Sequence, residues 1–424
     1  MITVVGMDGS PLGAAAEAAL ASATLVVGGS RHLAALPALP ALAGARGGPG
    51  ARSVVLGELA PALDALAEHE GDAVVLASGD PGFFGIVRAL RQRGLPAVVL
   101  PAVSSVALAF ARARLPWDDA AVVSAHGRDL RPAVNVCRAH PKVALLTGPG
   151  AGPAEIGAAL AGWDRRLIVC EHLGDPAERV TECSPAEAAG RTWEDPNIVL
   201  VLGGLPAATA TGAPRGPDEV SVTGGVSWAW PRPATPGGWA LDEGQFDSRD
   251  AVITKAEVRA LALARLAPGP GMLVWDVGAG SGSVAVECAR FGAAVIAVER
   301  DETRCERIRA NARRHAVDVR TVHGAAPAAL AGLPEPDAVF VGGGGLAVVE
   351  AVTARHPARI VVALAAIERA GPALAALSAA GYATAGTLVQ AARLAQLPGD
   401  VHRLAATNPV FLLWAAAAPP GAQP

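Results

Sequence analysis

The chain lacks the features of three broad protein classes. It has 35 Lys and Arg against 39 Asp and Glu among 424 residues, so no basic excess is available to neutralise a nucleic-acid backbone. It has no uninterrupted apolar run of about 18 residues, which argues against a membrane-spanning helix. The first residues do not show the charged-then-apolar pattern of a signal peptide. We therefore expect a cytoplasmic protein without nucleic-acid or membrane partners.

Cysteine is also scarce. The five cysteines form no CxxC pair and are odd in number, so we predict reduced thiols and neither a disulfide framework nor a zinc site. Lysine occurs only at Lys142 and Lys255, so 33 of the 35 Lys and Arg residues are arginine. Arginine suits carboxylate ligands because its planar head donates two parallel hydrogen bonds.

Apolar residues, by contrast, make up 51% of the chain, enough for sizeable cores. In the first half, nine short apolar runs alternate with Ala- and Leu-rich helical stretches. Such runs are typical of strands buried on both faces. They lie at 2–5, 24–27, 53–56, 73–77, 97–100, 120–123, 143–147, 167–170 and 198–202. The alternation predicts an α/β fold with mostly parallel strands, and their number allows two sheets.

A Pro- and Gly-rich segment at 206–245 interrupts this pattern and contains Trp228, Trp230 and Trp239. We interpret it as a linker, part of which packs on a domain surface through its tryptophans. The alternation then restarts, with strands predicted at 272–277, 294–299, 317–322 and 337–341 and helices at 254–266, 281–291 and 301–315. The predicted organisation is a first domain at 1–205, the linker, and a doubly wound second domain at 246–424.

The strongest motif follows the first strand of the second domain. Residues 276–283 read Asp-Val-Gly-Ala-Gly-Ser-Gly-Ser, and the next strand ends at Glu299. Glycines at this place let the backbone approach a ligand closely, and an acidic residue at the neighbouring strand end can accept ribose hydroxyls. We expect Ser281 or Ser283 to cap the following helix. S-adenosylmethionine is favoured over NAD because Asp276 offers an acceptor near a ligand ammonium and the pattern departs from the dinucleotide motif.

With the segment Ala297–Asp301, this motif resembles the class I Rossmann-like methyltransferases. The segments Ile253–Arg259, Pro336–Gly344 and Arg403–Trp414 are similar to the decarboxylating precorrin methyltransferases of corrin biosynthesis. The resemblance implies an S-adenosylmethionine site with the following residues: Thr254, Gly278, Ala279, Gly280, Ser281, Gly282, Glu299 and the backbone near Ala325.

The first half carries three tight turns after apolar runs. They contain Gly6 and Asp8, then Gly79 and Asp80, then Ser104 and Ser105, and ligands of open α/β sheets bind at such strand ends. In this order the turns resemble the tetrapyrrole methylase (class III methyltransferase) family, which has two α/β subdomains with S-adenosylmethionine in the cleft between them. The segments Val123–Arg128 and Val169–Gly174 are similar to the branch that methylates C5 of a corrin precursor.

Both halves in this order resemble fused corrin methyltransferases. The resemblance implies methylation of C5 by the first half, and methylation of C15 with decarboxylation of the ring C acetate by the second. The substrate would be a tetrapyrrole polycarboxylate, and self-association of both parent families implies a homo-oligomer. Candidate catalytic residues are Arg31, His126 and Lys255. Further cationic or polar candidates at ligand-facing ends are His32, Arg128, Arg259, Arg393 and Arg403, with the glycine run 342–345 as a flexible or anion-facing loop.

Other functions stay open at this point. A methyltransferase acting on RNA is disfavoured by the missing basic excess. An NAD(P)-dependent oxidoreductase and a non-catalytic S-adenosylmethionine-binding module are the remaining alternatives. The segment Asn408–Phe411 resembles a signature of amino-group methyltransferases, but its position near the chain end predicts entry into a closing antiparallel strand.

Overall fold

A computed structural model describes residues 1–36, 51–57, 59–203, 238–248 and 253–417. Most of the predicted linker, including Trp228 and Trp230, lies outside the described residues. Residues 1–203 are called the N-terminal half below, and residues 238–417 the C-terminal half. Among the described residues, no helix has the length and apolar character needed to cross a membrane.

The N-terminal half contains two five-stranded sheets. The first has the order β3-β2-β4-β1-β5 and is parallel throughout. Its strands are β1 (Ile2–Met7), β2 (Leu25–Gly28), β3 (Arg52–Val55), β4 (Ala73–Ser78) and β5 (Ala97–Leu100). Its helices are α1 (Ala14–Ser22), α2 (Ser30–Ala35), α3 (Leu59–Ala67) and α4 (Val87–Gln92). Because β4, β1 and β5 are neighbours, the loops that follow them meet at one edge of the sheet.

The second sheet has the order β6-β7-β10-β8-β9, and only its β6–β7 pair is parallel. Its strands are β6 (Ala121–Ser124), β7 (Lys142–Leu146), β8 (Arg165–Glu171), β9 (Arg179–Cys183) and β10 (Asn197–Gly203). The helices that follow β5 in sequence are α5 (Ser105–Ala113), α6 (Leu130–Ala139), α7 (Pro153–Ala159) and α8 (Pro185–Ala189). All nine predicted runs form strands. Strand β9 was not predicted, because it is a mostly exposed edge strand with only Cys183 buried.

The C-terminal half contains a seven-stranded sheet of order β13-β12-β11-β14-β15-β19-β16, in which only β19 runs antiparallel to the other strands. Its strands are β11 (Leu273–Val277), β12 (Ala294–Glu299), β13 (Arg320–His323), β14 (Ala338–Val341), β15 (Arg359–Leu364), β16 (Tyr382–Val389) and β19 (Val410–Ala417). A separate two-stranded sheet pairs β17 (Ala392–Leu397) with β18 (Val401–Ala406). Its helices are α9 (Ala256–Leu266), α10 (Ser283–Arg290), α11 (Glu302–Arg314), α12 (Leu346–Thr353) and α13 (Ile367–Ala379).

The α/β fold class is confirmed, and β19 is the antiparallel strand expected after Asn408. The order reverses between β11 and β14, which creates a crevice at their carboxyl ends. Apolar side chains cover both faces of the central strands. In β11, for example, Val274 and the next residue, Trp275, belong to apolar cores on opposite sides of the sheet. The last predicted strand before β14 begins three residues later than expected, at Arg320.

All five cysteines are buried and unpaired. Burial raises the pKa of Cys137 and of Cys170 to about 12, so both thiols stay protonated at neutral pH. The expectation of free thiols is confirmed for the described residues, which include every cysteine.

Candidate active sites

In the N-terminal half, the three predicted turns come together at the carboxyl ends of β1, β4 and β5. The Gly79 N–H donates to the Met7 carbonyl (2.7 Å), and the Ala102 N–H faces the Gly79 carbonyl (3.4 Å). A Cβ on Gly6 would lie 2.3 Å from the Gly79 oxygen. Glycine is therefore required at residue 6, because two other loops contact its backbone directly.

Asp8 ties two of these loops together. Its carboxylate accepts the Val103 N–H (3.1 Å) and the Ser10 N–H (3.0 Å). Side-chain and backbone hydrogen bonds from Ser10 and Val103 outweigh partial burial and lower the pKa of Asp8. The residue is thus ionised and positions the loop after β5.

A cavity of about 510 Å³ opens beside these loops, between the start of α1 and the residues after β5. It is lined by Gly6 and Asp8 and by the segments 10–13 and 100–103. The other predicted residues lie next to it and not in its wall. Asp80 accepts the N–H of Gly82 (2.8 Å), Ser104 caps α5 by accepting the Ala107 N–H (3.2 Å), and Ser105 is the first residue of α5.

Arg31 and His32 lie at the end of β4. The Arg31 guanidinium donates to the Ser78 hydroxyl, and the His32 Nε2 lies 3.2 Å from the same oxygen. Burial and the neighbouring Arg31 charge lower the pKa of His32 to about 4, so His32 is neutral at pH 7. Both residues thus contact Ser78, which directly precedes the turn of Gly79 and Asp80.

His126 follows β6 in the second sheet and is exposed, with its Nδ1 3.2 Å from the Thr147 carbonyl oxygen. The next cation, Arg128, has its guanidinium 6.0 Å from the centre of the Phe84 ring. Phe84 belongs to the loop after β4, so this cation–π contact joins the two subdomains. Gly9 and Gly174 make a second contact between them, since a Cβ on Gly9 would lie 2.0 Å from the Gly174 oxygen.

In the C-terminal half, the predicted motif opens onto a cavity of about 830 Å³ at the carboxyl ends of β11, β12, β14 and β15. Four predicted residues line it: Gly278, Gly280, Glu299 and Ala325. Ala279, Ser281, Gly282 and Thr254 are not among its lining residues. Helix α10 begins at Ser283 with Gly282 as its N-cap (φ +75°), and no side chain in the described part of the chain caps it. The predicted serine cap is therefore wrong, because a left-handed glycine makes the turn.

The glycine run 342–345 also lines this cavity. A Cβ on Gly278 would lie 2.8 Å from the Gly343 nitrogen. The two loops thus approach through bare backbone, which explains why both are glycine-rich. The predicted loop at 342–345 faces the crevice between β11 and β14.

Glu299 holds the glycine loop in place. Its carboxylate accepts the N–H of Gly280 (2.9 Å), of Arg300 (3.0 Å) and of Asp301 (3.2 Å). A carboxylate has about four lone-pair sites, so it keeps acceptor capacity toward the cavity.

Asp276 lies beneath the loop and is 1% exposed. Its Oδ2 accepts the Ala285 N–H (2.9 Å), whereas its Oδ1 has no hydrogen-bond partner among the described residues. Burial, aided by the nearby Glu299, raises the pKa of Asp276 to about 7. Asp276 is not part of the cavity wall, and it supports the loop from below.

Arg259, predicted to face a ligand, is instead fully buried, and that prediction is wrong. It forms an ion pair with Glu287 (2.6 Å), in which both side chains are 0% exposed. It also donates to the Thr254 carbonyl (2.5 Å) and to the Leu241 carbonyl. Glu287 accepts the N–H groups of Ala240 and Leu241 as well. The pair therefore fastens the segment 240–241 and the Thr254 loop to the sheet.

Arg393, also predicted to face a ligand, instead pairs with two carboxylates of the same chain. It donates to both carboxylate oxygens of Glu243 (2.7 and 2.8 Å) and of Glu257 (2.8 and 2.6 Å). Lys255 is the N-cap residue of α9 and is not among the cavity-lining residues. Arg403 lies exposed on β18.

Four charged residues of the cavity wall were not predicted. Arg300 and Arg304 follow β12, and Glu368 and Arg369 follow β15 at the start of α13. Their positions just after parallel strands were the available signal, because such strand ends carry ligand sites. The sequence does not show, however, that β15 lies beside β14 at the cavity, because this depends on the order of the strands in the sheet.

Comparisons with known proteins match each half separately. Residues 5–189 match the family model described as tetrapyrrole (corrin/porphyrin) methylases, and residues 245–417 match the precorrin methyltransferase domain. A Sinorhizobium protein named precorrin-6Y C(5,15)-methyltransferase [decarboxylating] is 39% identical over 81% of this chain and 78% of its own length.

Two shorter relatives each correspond to less than half of the chain. A probable cobalt-precorrin-6B C(15)-methyltransferase (decarboxylating) from Pyrobaculum calidifontis is 38% identical over 44% of this chain and 98% of its own length. A cobalt-precorrin-7 C(5)-methyltransferase from Salmonella typhimurium is 32% identical over 48% of this chain and 98% of its own length.

Proposed function

The chain belongs to the precorrin-6Y C5,15-methyltransferase (decarboxylating) family, and we propose that each half carries out one of the two methyl transfers with S-adenosylmethionine as donor. The enzyme is a methyltransferase of cobalamin biosynthesis that acts on C5 and C15 of precorrin-6Y and removes the ring C acetate carboxyl as carbon dioxide, which gives precorrin-8. In our proposal the N-terminal half methylates C5, and the C-terminal half methylates C15 and decarboxylates.

The observation that carries the proposal for the C-terminal half is the cavity between the two glycine loops. It has room for a cofactor and part of a large substrate, and the Glu299 carboxylate, which accepts three backbone N–H groups, keeps about one acceptor site for a ribose hydroxyl. The close approach of Gly278 to Gly343 leaves no space for side chains at the point where a ligand would contact backbone. When bound, S-adenosylmethionine supplies an electrophilic methyl group on a cationic sulfur.

In the proposed arrangement, Gly278, Gly280, Glu299 and Ala325, which line the cavity, would hold S-adenosylmethionine. The tetrapyrrole lies beyond the glycine run, near Glu368 and Arg369. Arg369 would bind a substrate carboxylate, since no partner for its guanidinium occurs among the described residues. A meso carbon of a tetrapyrrole is itself nucleophilic, so the chain has mainly to orient it and to exclude water.

For the N-terminal half, the proposed cofactor site is the meeting point of the loops after β1, β4 and β5. It comprises Gly6, Asp8, Gly79, Asp80, Ser104 and Ser105. Arg31 is proposed to bind a substrate carboxylate beside β4, and His126 to exchange a proton with the tetrapyrrole from the second subdomain. Lys255 remains a proposed contact to substrate in the C-terminal half, and we propose a homo-oligomer on the basis of the family resemblance.

The test uses the full chain with S-adenosylmethionine and precorrin-6Y, and mass spectrometry of the product. The unaltered enzyme should give a product with two added methyl groups and one lost carbon dioxide. Glu299→Ala should abolish decarboxylation, whereas Asp8→Ala should retain it and reduce methylation at C5. Arg309→Ala is a control, because the Arg309 pair with Glu302 is exposed and outside the cavity.

Two results would contradict the division between the halves. One is decarboxylation that survives in Glu299→Ala but is lost in Asp8→Ala. The other is binding of a single S-adenosylmethionine per chain at saturation, measured by calorimetry on the unaltered enzyme. Tight binding of NAD in place of S-adenosylmethionine would instead support the oxidoreductase alternative.

A further inference from the structure

One face of α6 carries polar residues that find their partners outside the N-terminal half. Asn135 is completely buried and donates to the Gly271 carbonyl (3.0 Å). Arg131, four residues earlier and on the same side of the helix, forms an ion pair with Asp337 (2.8 Å) and donates to the Glu335 carbonyl (2.9 Å). Buried polar groups require partners, and here the other half of the chain supplies them.

The segment after α7 adds an aromatic anchor to this face. Trp163 is 6% exposed, and its ring belongs to the apolar core of the C-terminal half, together with residues such as Trp275. The guanidinium groups of Arg138 and Arg165 lie 5.7 and 5.9 Å from the Trp163 ring centre. Tryptophan and arginine are the residues that most often dominate the binding energy of protein interfaces.

Arg165 joins the two halves by an ion pair in which the arginine is buried and its partner is partly exposed. Its Nη1 lies 2.7 Å from Asp318, and its side chain is 2% exposed. Its remaining donors bind the carbonyls of Cys137 (2.7 Å), Arg138 and Asp164 (2.8 Å). The guanidinium is therefore held rigidly by its own half, so that only Asp318 has to be positioned by the other. A pre-organised charge of this kind loses little entropy on association.

On the basis of these contacts, we propose that Arg131, Asn135, Trp163 and Arg165 form a permanent docking face for the C-terminal half, called the inter-half face below. Its partner is a surface of matching chemistry, with the carboxylates of Asp318 and Asp337 and the carbonyls of Gly271 and Glu335. The halves are then held together by this surface and not only by the segment that connects them in sequence.

The position of the inter-half face has a consequence for the reaction. Gly271, Asp318 and Asp337 precede β11, β13 and β14, so they lie at the amino ends of the parallel strands. The cavity lies at the carboxyl ends of the same sheet. A five-residue strand spans about 16 Å. The C-terminal site therefore opens away from the N-terminal half, and a tetrapyrrole cannot pass straight through the inter-half face.

The test introduces a protease recognition sequence between residues 206 and 237 of the full chain. After cleavage, the two fragments should co-elute in size-exclusion chromatography and sediment as one species. Arg131→Glu and Asp318→Lys each place like charges opposite each other at the inter-half face and should raise the Kd between the cleaved halves at least about tenfold. Both side chains are 43% exposed, so folding of each half should tolerate the change.

Arg166→Glu is the matched control. Arg166 is adjacent in sequence to Arg165, but its partner Glu182 belongs to the same half and both are more than half exposed. This variant should co-elute like the unaltered chain, and circular dichroism of each uncleaved variant checks its folding. Separation of the unaltered halves on cleavage would overturn the proposal. Co-elution of the cleaved Arg131→Glu/Asp318→Lys double variant with unchanged Kd would overturn the assignment of this surface.

Discussion

The buried ion pair between Arg259 and Glu287 supports the sharpest stability prediction. Both side chains are fully buried, and the pair holds the segment 240–241 and the Thr254 loop against the sheet. Removing one member of such a pair leaves a buried charge without compensation and costs about 3–5 kcal/mol. For a unit of this size, about 2–4 °C of melting temperature is lost per kcal/mol. Arg259→Met should therefore lower the melting temperature of the C-terminal half by about 10 °C.

The measurement is differential scanning calorimetry of the full chain, with Arg393→Met as the matched control. Arg393 also contacts two carboxylates, but its side chain is 38% exposed and the surrounding water compensates for its loss. Ion pairs at the surface contribute about 0–1 kcal/mol, so this variant should shift the melting temperature by only about 2 °C. The double variant Arg259→Met/Glu287→Gln removes both charges but keeps a side-chain acceptor for the Ala240 and Leu241 N–H groups, so it should recover part of the loss.

A melting temperature for Arg259→Met within about 2 °C of the unaltered enzyme would refute this reasoning. So would a double variant less stable than Arg259→Met, because the uncompensated charge of Glu287 would then not be the cause of the loss.

Three further predictions concern the two sites. The pKa of Asp276 is raised from 3.8 to about 7, so the folded state keeps a proton that the unfolded state releases, and stability falls by about 4 kcal/mol from pH 4 to pH 7 through this group. Urea unfolding at pH 5 and pH 8 measures how far the free energy of unfolding changes with pH, and this change should be smaller in Asp276→Asn than in the unaltered enzyme. An equal change in both proteins would contradict the assignment. Arg369→Ala should raise the KM for precorrin about tenfold, the loss of about one charged hydrogen bond, while the Kd of S-adenosylmethionine stays unchanged; an increase in that Kd would place Arg369 at the cofactor instead. Because the C-terminal site opens away from the N-terminal half, we expect the intermediate to pass between the two sites through solvent. A mixture of the full-chain variants Asp8→Ala and Glu299→Ala should therefore form the doubly methylated, decarboxylated product, detected by mass spectrometry. Absence of this product from the mixture would contradict transfer through solvent.

Local patterns were enough to predict much of the fold. The nine apolar runs of the first half became strands because a continuous apolar run is stable only where both faces of a strand are covered, and this is a property of the run itself. The glycine motif after β11 was recognisable for a similar reason, since glycine adopts the positive φ angles found at residues 278, 280 and 282 without the steric cost that other residues bear. Edge strand β9 was not predicted, because most of its side chains are exposed and its sequence therefore contains no run of apolar residues.

The sequence by itself thus determined the α/β fold class and the position of the glycine-lined strand ends, because each depends on neighbouring residues. Only the tertiary structure decided which charged residues face a ligand. Arg259 and Arg369 look alike in sequence, yet one is buried against Glu287 and the other lines the cavity, since the order of the strands sets the surroundings of each side chain. The inter-half face was likewise beyond local patterns, because Arg131 and Asp337 stand 206 positions apart and meet only through the packing of two separate sheets.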